Sequence, residues 1–132
     1  MPDDLALGPA EAAALADELL LAGRPFHAHE VLEAAWKAAP ERERDLWQGL
    51  AQIAVGLTHA RRGNAKGAAA LLRRGAQRVR TYQAAGPGPG GGPYGIDVAG
   101  VVAGAEQLSA RIAAEGLAAI PEPGFRLPLR PT

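Results

Sequence analysis

Apolar residues recur along this chain at intervals of three and four, and the rhythm breaks at proline and glycine. Proline fits the first helical turn because its missing N–H has no intrahelical partner there, and glycine readily takes the left-handed residue beyond the last turn. Pro9 opens a segment in which Ala12, Leu15, Ala16, Leu19 and Ala22 share one face, and Gly23 closes it. Pro25 opens a second helix that stops near Ala39, because the residue before Pro40 is pushed out of the α region. A third, long helix follows from about Glu41 to Arg62 and is ended by Gly63. Asn64 is suited to cap a fourth, from Ala65 to about Ala84. A Gly/Pro-rich stretch at 86–95 cannot offset the entropy of regular structure and predicts a flexible loop. Asp97 caps a fifth helix that reaches about Glu115, with Gly116 beyond it. Connections this short make neighbouring helices antiparallel. The expected fold is therefore all-α: an antiparallel up-and-down bundle of about five helices, with helix three central. One helical domain at 9–116 would lie between an N-terminal tail at 1–8 and a Pro-rich C-terminal tail at 117–132, the latter extended on the bundle.

Composition agrees with the periodicity. Among 132 residues there are 30 Ala and 16 Leu but only six aromatics, a stock of strong helix formers poor in strand-favouring side chains. The complete lack of cysteine excludes a disulfide scaffold, a thiolate metal site and a cysteine nucleophile. Asp3 and Asp4 stand where a secretory leader would be basic, and no apolar run is long enough to span a bilayer. A soluble, cytoplasmic protein without membrane partners is expected.

Candidate chemistry is concentrated on two helices. The fifteen residues between Asp45 and Arg61 carry no charge other than that of His59. At 100° per residue, Leu46, Leu50, Ile53 and Leu57 share one side, extended by Trp47, Ala51 and Ala54. Gln48, Gln52 and His59 fall together on another side and form a polar stripe along an apolar rod. On the second helix, Ala28, Val31, Leu32, Ala35 and Ala39 make the core face, with His29 and Glu33 four apart on its border beside Trp36. Residues four apart stack on a helix, so this imidazole and carboxylate can converge on one point. Antiparallel packing of the two helices would bring His29, Glu33 and Trp36 up to Gln48 and Gln52, with His59 further along the stripe.

Three readings of this constellation stay open. The first is a hydrogen-bonded network that fixes helix register, with Glu33 bonded to Gln48 or Gln52. The second is a divalent-metal site in which His29, Glu33 and His59 are ligands. His29-Glu30-x-x-Glu33 fails as the zinc-protease motif because Glu33 stands in place of the second histidine, though Glu30 could still be the general base of a hydrolase. The third is an organic ligand or partner held by the same groups. A serine nucleophile and a phosphate-cradling glycine loop are absent as motifs.

The residues that carry these readings also carry a resemblance. Phe26-x-x-His29-Glu30-x-x-Glu33-x-x-Trp36, then Leu46-x-Gln48-Gly49-Leu50-x-Gln52-x-Ala54-x-x-x-x-His59, then Gly63-Asn64 and Gly95-Ile96-Asp97-Val98 resemble a small bacterial and archaeal family, domain-of-unknown-function family 309, over about residues 15–110. That resemblance implies a compact helical bundle, points to His29, Glu33, Gln48, Gln52 and His59 as site positions, and brings with it the label of predicted metal-dependent hydrolase. The chain departs from the family pattern at His27 and Ala28, where acidic residues are commoner, and in a longer Gly/Pro loop.

Charge changes the picture in one place. The 14 basic and 14 acidic residues balance, yet residues 60–80 hold seven bases and no acid. Arg73, Arg74 and Arg78 are thus candidates for a polyanion-binding surface. The overall balance and the want of interleaved aromatics argue against a dedicated nucleic-acid binder. Self-association into a homo-oligomer is a further partner class that the sequence leaves open.

Overall fold

The computed structural model describes residues 7–85 and 93–131. Most of the Gly/Pro-rich segment and most of the N-terminal tail anticipated above lie outside them. Among the described residues five α-helices make up the bundle: α1 (Pro9–Leu21), α2 (Pro25–Ala38), α3 (Arg44–Arg61), α4 (Ala65–Ala85) and α5 (Val98–Glu115). Each packs on its neighbour in sequence, and the α3–α4 interface is the most extensive. The described residues contain no strand. None of their helices is long and apolar enough to cross a membrane.

Helix ends fall where proline and glycine chemistry puts them. Gly23 and Gly63 both have positive φ, at 77° and 81°, and each turns the chain directly into the next helix. Asn64 accepts the Gly67 amide at 2.9 Å and Asp97 accepts the Gly100 amide at 3.1 Å, so both side chains satisfy amides that a helix start leaves unpaired. The third helix departs from expectation at its start. Glu41–Glu43 is a separate single turn, because Glu43 has φ −103° and ψ −1° and its side chain is folded inward.

α3 is the central rod. Leu46, Leu50, Ile53 and Leu57 are fully buried together with Trp47 and Ala54, the face that helical periodicity assigns to the core. Glycine explains how closely α4 approaches it. A Cβ built on Gly49 would lie 2.8 Å from the Gly75 carbonyl oxygen and 2.6 Å from Val79 Cγ2, and one on Gly75 would lie 2.7 Å from the Gly49 carbonyl oxygen. The two backbones are therefore in direct contact. α1 differs from its predicted face: Ala12, Ala13, Ala16 and Leu20 are buried, whereas Leu15 and Leu19 are partly covered and Ala22 is exposed. Three consecutive leucines, Leu19 to Leu21, leave spacing unable to choose among them, and among the described residues α1 packs chiefly on α2, with further contacts to the Pro93–Gly95 turn and the tail.

The C-terminal segment is clamped to the bundle. The Leu129 amide donates to Asp17 Oδ1 at 2.8 Å and its carbonyl accepts the Asp97 amide at 2.8 Å, with the leucine side chain buried. Glu122 bridges Arg61 at the end of α3 and Arg126 in the tail. These two guanidinium groups, Arg126 first, hold the Glu122 carboxyl below the usual carboxylate range. Single helical turns at Leu117–Ala119 and Glu122–Phe125 interrupt what the Pro spacing suggests as a continuously extended tail.

Candidate functional site

Antiparallel packing of α2 on α3 leaves a groove along their outer seam. One wall comes from His29, Glu33 and Trp36 of α2, the other from Gln48 and Gln52 of α3, and Ala51, Val55 and Leu71 form an apolar floor. The cavity measures about 170 Å³. Leu71 reaches this floor from α4 because the glycine contact draws α4 tightly onto α3. The structure thus brings together five of the residues singled out from the sequence, from two helices, in one concavity.

Their chemistry there differs from a closed network. No hydrogen bond joins His29 or Glu33 to Gln48 or Gln52 among the described residues. His29 Nε2 lies 3.9 Å from Glu33 Oε1, near enough for electrostatic influence and too far for a hydrogen bond. The Glu33 side chain is 43% exposed and that of His29 25%. His29 Nδ1 and Gln52 Oε1 are both buried and neither has a partner. The helical spacing fixes which residues share a seam; it does not fix whether their polar atoms bond, and here they form no hydrogen bond across it.

His59 stands outside the groove. It lies in the last turn of α3, where Asn64 Nδ2 donates to its Nδ1 at 3.2 Å, so the capping residue of α4 occupies it. Glu30 is exposed and does not line the groove. The set His29, Glu33 and His59 is accordingly not assembled. Among the described residues no three His, Cys, Asp or Glu side chains come together in a way that could hold a metal ion. The donor set does not fit the metal implied by the hydrolase label.

A second concavity of about 340 Å³ lies between α3 and α4, lined by Asp45, Gln52, Arg74, Gln77, Arg78 and Thr81. Gln52 borders both. Asp45 accepts from Arg78 at 3.0 Å, which reduces the basic cluster, while Arg73 and Arg74 remain exposed without an ion pair among the described residues. Arg80 is engaged by Glu106 of α5 at 2.6 Å.

The one buried carboxylate among the described residues was not singled out from the sequence. Glu43 is only 7% exposed; it accepts from Trp47 Nε1 at 3.2 Å and from the Tyr94 hydroxyl at 2.7 Å. The Trp47 and Tyr94 rings lie 5.9 Å apart between centroids. The hydrogen bond to Glu43, then burial, raises the Tyr94 phenol above its ordinary value; burial, then the Glu43 charge, does the same to Tyr82. The four-residue step from Glu43 to Trp47 was the available signal.

A family model described as a domain of unknown function, DUF309, matches residues 14–71. The uncharacterized protein YpuF of Bacillus subtilis strain 168 is 43% identical over 60 residues, which is 45% of this chain and 33% of that protein. The matched segment thus spans about a third of the length of this relative. No solved structure matches the chain. Every residue lining the α2–α3 groove falls within 14–71, whereas Tyr94, α5 and the clamped tail fall outside.

Proposed function

We propose that this chain, whose residues 14–71 match the family model DUF309 of unknown function, is a ligand-binding module whose site is the groove between α2 and α3. One observation carries this reading: two buried polar atoms, His29 Nδ1 and Gln52 Oε1, lack partners, and both belong to residues of the same groove. An unpaired buried polar atom costs about 1–3 kcal/mol, and native proteins leave few of them. Both atoms sit on rotatable side chains of the groove's two walls, so a small turn of either would present it to a ligand there. An apolar floor with a few convergent polar groups is the usual composition of a small-molecule pocket. The family match supports the same location, since it ends with the last residue of the groove floor.

A fragment library screened by amide chemical-shift mapping on the full chain tests this. Binders should perturb the amides of Trp36, Gln48, Gln52 and Val55 as one patch. Hits scattered over the surface, or none, would remove the reading.

A further inference from the structure

Resting on the reading of the α2–α3 groove as a ligand site, we infer that it takes a small organic cation, a primary ammonium or guanidinium on a short aliphatic body. The argument begins with the imidazole. Glu33 Oε1 lies nearest His29 Nε2, at 3.9 Å. In a neutral imidazole one ring nitrogen donates and the other accepts, and a carboxylate beside Nε2 favours the tautomer that carries its proton there. That other nitrogen, Nδ1, is the one buried without a partner, and the second orphan, Gln52 Oε1, is a carbonyl oxygen. In that tautomer both orphans are acceptors. They call for a ligand that donates, and the half-exposed Glu33 carboxylate on the same wall calls for positive charge. An ammonium offers three N–H donors and a guanidinium five; a carboxylate or phosphate would set lone pairs against lone pairs.

Two further features fix the ligand's shape and sign. Trp36 lines the groove, and indole is the ring whose face best attracts a cation. The floor of Ala51, Val55 and Leu71 suits a short aliphatic segment. Arg74 and Arg78 line the neighbouring concavity and not this one, and Arg78 is held by Asp45.

The test titrates the full chain separately with n-butylammonium, the methylamide of Nα-acetyl-lysine, and butyrate, against a sodium chloride blank. It follows groove amides and the emission of Trp36, the indole that lines the groove; Trp47 is buried at 1% exposure and serves as the internal constant. Either cation should shift the groove amides at millimolar concentration, and Glu33→Gln should weaken it at least tenfold with thermal stability unchanged. Tighter binding of the lysine derivative would assign the cation to a partner's side chain, and tighter binding of butylammonium to a free amine. Butyrate binding as well as the cations would overturn the inference while leaving the groove a ligand site. Silence from the cations, together with an empty fragment screen, would overturn both.

Discussion

The phenol of Tyr94 donates to the carboxylate of Glu43 at 2.7 Å, across 51 positions of sequence. Tyr94 is the one non-glycine residue with positive φ among those described, at 57°. Side chains reach that region at a cost, and the backbone keeps it only where surrounding contacts determine it. Here they are the hydrogen bond to Glu43 and the packing of its ring on Trp47. The relationship ties the chain entering α5 to the start of α3.

Tyr94→Phe should therefore destabilise the protein by about 1–3 kcal/mol, because it leaves a buried carboxylate with Trp47 Nε1 as its single donor. Urea denaturation checks this, with helix content unchanged before the transition. A change within a few tenths of a kcal/mol would mean that solvent reaches Glu43 freely.

The same contact has an alkaline signature. Both tyrosines are raised above their ordinary value of 10.0, Tyr94 chiefly by its bond to Glu43 and Tyr82 chiefly by burial. In the unfolded chain they ionise near that value, so their contribution to stability is fully present below it and is lost as pH rises through the folded values. With two tyrosines in the chain, tyrosinate absorbance resolves the effect. Titration of both at the free-peptide position in the folded protein would contradict it.

Gly49→Ala and Gly75→Ala should each cost about 1–3 kcal/mol by overpacking, although alanine is intrinsically the better helix former by roughly 1 kcal/mol. The added carbon would meet a backbone carbonyl oxygen at 2.8 Å or 2.7 Å, and a backbone cannot swing aside as a flexible side chain can. Thermal unfolding of the two variants measures this. Because the clash would push α4 away, Leu71 should also retreat from the groove floor, visible as shifted methyl resonances.

Acid should loosen the tail. The Glu122 carboxyl is held low by Arg126 and then Arg61, so its contribution is present above the ordinary carboxylate value and is lost as pH falls through the lower folded one. The amides of Leu129 and Arg130, which donate to Asp17 Oδ1, report the docking. Their protection should fall in that acid window, and Glu122→Gln should flatten the Glu122-dependent part of the fall. Identical profiles for the two proteins would remove Glu122 from the tail's attachment.

Much of this was legible before any coordinates. Pro9, Pro25, Gly23 and Gly63 set helix ends through chemistry that acts on one residue at a time, so they read directly. The buried face of α3 and the seam that gathers His29, Glu33, Trp36, Gln48 and Gln52 follow from helical period and short connections alone. What stayed hidden depends on distance rather than direction. Period puts His59 on the stripe, yet Asn64, five residues on, occupies its ring nitrogen. It puts Glu33 opposite the two glutamines without saying that no hydrogen bond joins them. Glu43 reads as a surface acid because one of its donors lies across the Gly/Pro-rich segment.

The groove offers a last prediction that separates binding from structure. A register-fixing network would make Glu33→Ala costly, about 1–3 kcal/mol, by stranding buried donors. Glu33 is half-exposed and bonded to neither glutamine, so the change should alter stability by less than about 0.5 kcal/mol, as exposed substitutions generally do. Gln52→Met should go further: it removes a buried oxygen that has no partner while keeping similar volume, and the ligand-free protein should gain stability, by up to about 1 kcal/mol. Denaturant midpoints for the two variants, read beside their affinity for n-butylammonium, make the comparison. Stability lost in both variants would restore the structural reading. Stability kept or gained while affinity falls is the signature of groups retained for a ligand at the expense of the fold.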